Sequence, residues 1–92
     1  MFLPLRQGSF GSAEERAAIF ELSDRVHAAL EPIDAGDIAG NEFGAGQCVM
    51  IVHTGDPMRV WQAMEPVIRA TPFVRGGHAE IHGASFDRRV DF

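Results

Sequence analysis

An α+β two-layer sandwich, with an antiparallel four-stranded sheet and two helices on one face, is the fold this chain predicts. Three observations carry it. The apolar spacing changes along the 92 residues in the order strand, helix, strand, strand, helix, strand. Two helix starts carry explicit signals, Ser12 with Glu15 three residues on, and Asp56 followed by Pro57. Glycine-rich turns mark most of the other joints.

Phe2-Leu3-Pro4-Leu5 reads as a short first strand, with Pro4 where a missing donor faces outward. Ser12-Ala13-Glu14-Glu15 forms a capping box, and behind it Ile19, Leu22, Val26 and Leu30 keep the spacing of one apolar helix stripe. Pro32 disfavours helix at Glu31 and ends the element. Asp34 to Phe43 alternates weakly and suits an edge strand. Gly44-Ala45-Gly46 is a hairpin connection into Cys48 to His53, the most apolar run and hence a central strand. The second helix starts at Pro57 and keeps Val60/Trp61, Met64 and Val67/Ile68 on one side. Pro66 is expected to kink its last turn or end it early, and Thr71-Pro72 to stop it. His78 to Gly83 is a short alternating strand. The tail, 84–92, is read as an extra strand, a segment laid over the sheet or a frayed end. No linker or repeat divides the chain, so residues 1–92 form one domain.

Composition bounds the function. With 46% apolar and 23% charged residues the chain is ordinary globular material. The net charge is −5 and all basic residues are arginine. No basic stripe tracks a phosphate backbone, so no nucleic-acid role is expected. The absence of lysine points to a GC-rich bacterial genome. Met1 to Leu5 lacks the basic start and apolar run of a signal peptide, and no segment reaches the ~20 residues of a membrane span. The expected compartment is the cytoplasm, with no membrane partner. A core this small favours a homodimer or higher oligomer, with Trp61, Phe86, Val90 and Phe92 as spare apolar residues.

The element order resembles that of small bacterial ferredoxin-like (β-α-β-β-α-β) domains of unassigned function. The stretch Gly40-Asn41-Glu42-Phe43-Gly44-Ala45-Gly46-Gln47, an apolar strand, then Gly55-Asp56 and a helix, carries the likeness over about residues 2–83. It implies that the first and third strands lie side by side in the centre and the second and fourth at the edges. It implies no catalytic residue.

Few side chains can carry chemistry. His53 ends the central strand beside Gly55 and Asp56 at the start of a helix, with Trp61 a turn further on. Backbone amides there attract an anionic group, although the Asp56 carboxylate competes for them. These four residues are the candidate ligand site. His78, Glu80 and His82 alternate along one strand and share a face, a pattern from which Zn²⁺ or another transition metal takes ligands. Wetting a polar open face explains the same pattern without a metal, since Ala79 and Ile81 take the other side. The single cysteine, Cys48, sits in an apolar run and reads as a buried thiol, not a nucleophile. No cofactor signature is present: Gly44-Ala45-Gly46 lacks the third glycine and the following helix of a dinucleotide loop.

The reading that results is a small non-catalytic domain that self-associates and binds a small ligand or a partner protein. The alternatives are a dimeric α/β-barrel enzyme using His53 or His78, and a metal-binding protein using His78, Glu80 and His82.

Overall fold

The computed structural model describes all 92 residues, Met1–Phe92. Strand β1 (Phe2–Pro4) leads into helix α1 (Ala13–Leu30) and a 3-10 turn over Glu31–Ile33. The hairpin of β2 (Gly36–Gly44) and β3 (Gln47–Thr54) follows, then helix α2 (Pro57–Arg69) and a second 3-10 turn over Pro72–Val74. Strands β4 (His78–His82) and β5 (Asp87–Asp91) complete the chain. The strands form one antiparallel sheet in the order β2-β3-β1-β4-β5. The expected four strands are therefore five. Asp87–Asp91 of the tail pairs with β4, so β4 is interior and the tail strand is the edge. A strand of alternating charges is tolerated there because only one of its sides needs a backbone partner.

Both helix starts form as the sequence implies. The Ser12 hydroxyl accepts from the Glu15 amide, and Glu15 accepts in return from the Ser12 amide. The same carboxylate also accepts from the amides of Arg6 and Gln7, which fixes the loop entering α1. At α2, Asp56 accepts from the Arg59 amide and Pro57 takes the first position. The helix runs through Pro66 to Arg69, three residues beyond the early end expected there. Pro66 lies in the last turn and is exposed, so its missing donor costs one hydrogen bond near the helix end, and the Ala70 amide still reaches the Pro66 carbonyl.

The β2–β3 hairpin closes through Ala45 and Gly46, with φ of 52° and 77°. Positive φ at both central positions gives a two-residue loop whose twist matches that of the strands. Gly77, before β4, is buried; a Cβ there would run into the Phe2 carbonyl oxygen, so only glycine lets β1 and β4 approach.

Both helices cover one face of the sheet. Leu3, Cys48, Met50, Ala79 and Ile81 point into that layer and form a single core with Ile19, Leu22, Val26 and Leu30 of α1 and Val60, Trp61, Met64 and Ile68 of α2. Each such aliphatic side chain contributes ~1.5–3 kcal/mol by burial. Val67, expected in this core, is only partly buried, one step round the helix from Ile68. Val49 and Ile51 lie on the other face, and their neighbours Cys48 and Met50 take the core positions. Trp61 is not spare: it is 4% exposed and stacks on the Phe92 ring with centroids 6.0 Å apart. No helix is long and apolar enough to cross a membrane.

Candidate functional site

The central strand is the shortest part of the sheet's middle. The β1–β3 ladder ends at Met1, whose carbonyl accepts from the Met50 amide and whose ammonium donates to the Met50 carbonyl at 2.6 Å. On its other side β1 meets β4 only where Phe2 pairs with His78. Beyond those rungs β3 continues to Thr54 and β4 to His82 with no strand between them. The result is a slot in the sheet.

Its geometry follows from the register. Phe2 faces Val49 on one side and His78 on the other, so those two residues are level. Both strands run antiparallel to β1, which makes Ile51 level with Glu80 and His53 level with His82. Where β1 lies between them the two walls are held roughly 10 Å apart, twice the inter-strand spacing. The slot opens into a cavity of about 760 Å³ lined by Ile51, His53, Thr54 and Gly55 on one wall and Glu80 and His82 on the other. Val60, Trp61 and Met64 of α2 form its floor, and Met1 closes one end. The bottom is apolar and the rim polar.

This arrangement regroups the residues singled out by sequence. His53, Gly55 and Trp61 do share one site, and Glu80 and His82 join them from the opposite wall. Asp56 does not line the cavity; it caps α2. His78 stands below the slot, stacked on Phe2 with ring centroids 4.6 Å apart. His78 Nε2 lies 4.0 Å from Glu80, while His82 Nδ1 is 2.9 Å from Asp87 Oδ1. The three side chains on β4 thus share a face but turn to different partners, and no three His, Cys, Asp or Glu groups converge to hold a metal ion.

No protein-family model matches the chain, and no curated protein or solved structure does. The chemistry of the site therefore rests on its own groups. Burial pushes the Met1 ammonium below its ordinary pKa, with the charges of Cys48 and Glu80 acting in the opposite direction. Burial likewise raises the Cys48 thiol to about 11, which removes it as a thiolate near neutral pH. The Thr54 hydroxyl donates to the Ala35 carbonyl and accepts from the Asp56 amide, so it is already committed.

The sequence does not show that the two clusters are one site, or that Val60 lies in its floor; the spacing of Trp61 and Met64 fits a groove lining as well as a core, and they serve as both. The available signal was length. The run Phe2 to Leu5 is shorter than the run Cys48 to His53, so these two segments cannot pair along the whole of the second.

Proposed function

We propose that the chain is a small non-catalytic ligand-binding domain whose binding site is the slot between β3 and β4. The observation that carries this is the cavity itself, with an apolar, aromatic floor and a few polar groups at the rim, the composition typical of small-molecule sites. Its lining contains no nucleophile held against a base: Thr54 is engaged with Ala35 and Asp56, and His82 is paired with Asp87. The sheet order β2-β3-β1-β4-β5 supports reading the chain as a ferredoxin-like unit with one added edge strand. A ligand with an apolar or aromatic body and a polar end fits it.

The test uses Trp61, the single tryptophan, which lies in the floor. Titration with the fluorophore 1-anilinonaphthalene-8-sulfonate should enhance dye emission, change Trp61 emission and shift the amides of His53, Gly55 and Glu80 in NMR spectra. Dye binding that leaves those amides unmoved refutes the slot as the site.

A second reading, self-association, is favoured by a different surface. On the face away from the helices, Phe2, Pro4, Val49 and Ile51 form a half-buried apolar strip across β1 and β3. A second copy placed there would cover it. Light scattering should then give about twice the 10.0 kDa of the chain at high micromolar concentration. A monomer that persists under those conditions ends this reading and leaves the slot untouched.

A further inference from the structure

The slot has a property that an ordinary small-molecule cavity lacks: its walls are strand edges. Backbone groups alternate in direction along a strand, and the rungs on either side fix which residues point where. Along β3, the Met50 amide and carbonyl both bond to Met1, and the Gly46 carbonyl just before the strand accepts from the Leu5 amide, so the even-numbered residues face that side. Val52 and Thr54 continue the series into the slot. In β4, Gly77 and Gly83 bond to the β5 side, so the even-numbered residues face the other way. Glu80 and His82 therefore present their amides and carbonyls to the slot from the opposite wall. None of these edge groups has a strand partner, because β1 pairs with β3 only up to Met1 and with β4 only at Phe2.

Backbone groups in such a place require partners. The gap is one strand wide, and both walls offer donors and acceptors in strand register. Resting on the reading of the slot as a binding site, we propose that its occupant is a peptide of about four residues, inserted as a strand between β3 and β4 and running in the direction of β1. An extended peptide satisfies both walls at once, which a strand added to an outer edge of a sheet cannot do.

The alternation of side chains specifies the peptide further. Leu3 of β1 points toward the helices, whereas Phe2 and Pro4 point away. Inserted residues level with Val52 and Thr54 continue the inward series and meet Val60, Trp61 and Met64, so apolar side chains belong there. Residues level with Ile51 and His53 continue the outward series, beside Glu80 and His82. The chain carries a net charge of −5, and Glu80 is the carboxylate at the rim, so basic side chains suit those positions.

The probe is the blocked tetrapeptide acetyl-Leu-Arg-Leu-Arg-amide, set against the same peptide methylated on both leucine nitrogens. Methylation keeps every side chain and removes the donors that face β3. The unmodified peptide should shift the amides of Val52, Glu80 and His82 and change Trp61 emission. The methylated one should bind about tenfold or more weakly. Equal binding of the two peptides, or shifts confined to residues outside β3 and β4, overturns strand insertion. If 1-anilinonaphthalene-8-sulfonate reaches the slot and the tetrapeptide does not, the peptide inference falls and the binding site stands. If neither reaches it, both fall.

Discussion

Helices α1 and α2 cover the same face of the same sheet, yet they rest on different things. The buried residues of α1, Ile19, Leu22, Val26 and Leu30, contribute nothing to the lining of the slot. Three of the buried residues of α2, Val60, Trp61 and Met64, form its floor. The helix stripes are alike in kind; the difference lies in the sheet beneath, where α1 packs against β2 of the continuous hairpin and α2 lies over the gap between β3 and β4.

The largest effect that probes this contrast is a pair of truncations. Leu22→Ala removes a side chain with 0% exposure from the closed region, where the surroundings cannot collapse, and should cost about 3–5 kcal/mol. Met64 is 3% exposed but borders the cavity, so its truncation joins a space already present and chiefly the transfer of the side chain is lost, about 1–3 kcal/mol. Urea denaturation of both variants measures the difference. A Met64→Ala cost equal to or above that of Leu22→Ala means that the slot is closed in solution, and the contrast between the helices disappears.

A smaller effect concerns acid. Hydrogen bonds from the amides of Arg6, Ser12 and Gln7, that of Arg6 foremost, hold the Glu15 carboxyl below its ordinary value of 4.5. A group depressed on folding stabilises the native state above its unfolded pKa, and the contribution is lost as pH falls through the folded value. Stability should therefore decline as pH drops below 4.5, and Glu15→Gln should flatten that decline. An unchanged pH slope in Glu15→Gln places the acid sensitivity elsewhere. The slot residues should keep their amide shifts in this variant, because the clamp serves the entry to α1 alone.

The smallest effect lies on the outer side of α1. His27 Nδ1 is 2.8 Å from Asp37 Oδ1, and that hydrogen bond raises the His27 pKa above 6.5 and lowers that of Asp37 below 3.8. Both groups are exposed, so the pair is a minor support. The histidine contribution is complete below 6.5 and fades as pH rises through its folded value; the aspartate contribution is present above 3.8 and fades as pH falls. An NMR titration should place the His27 midpoint above 6.5, and Asp37→Asn should return it there. A midpoint unaffected by Asp37→Asn shows that the imidazole and the carboxylate do not interact in solution.

What could be read in advance follows the range of the interactions concerned. The start of α1 was legible because a capping box is a contact between residues three apart, and both its hydrogen bonds form. The hairpin turn was legible for the same reason. In β3 the run Cys48 to Val52 is apolar on both sides, so its period does not reveal which residues face the helices. Pairing of Leu3 with Cys48 decides it, and that contact spans about half of the chain. The face shared by His78, Glu80 and His82 was legible, but their partners Phe2 and Asp87 come from other strands. The slot was the least legible feature, because it depends on where three strands stop relative to one another. The strand character of Asp87–Asp91 was obscured because its residues are almost all charged.

That charged strand has a consequence for how the protein behaves when crowded. Asp87, Arg88, Arg89 and Asp91 all stand exposed along the β5 margin, and a second molecule trying to extend the sheet there would have to desolvate them. The opposite margin, β2, is broken by an irregularity between Ile38 and Gly40 that disturbs its ladder with β3. Both outer borders thus resist sideways stacking of the kind that builds fibres. The unpaired backbone of the slot, by contrast, lies between two strands of the same sheet, where a single short guest can reach it and a growing filament cannot.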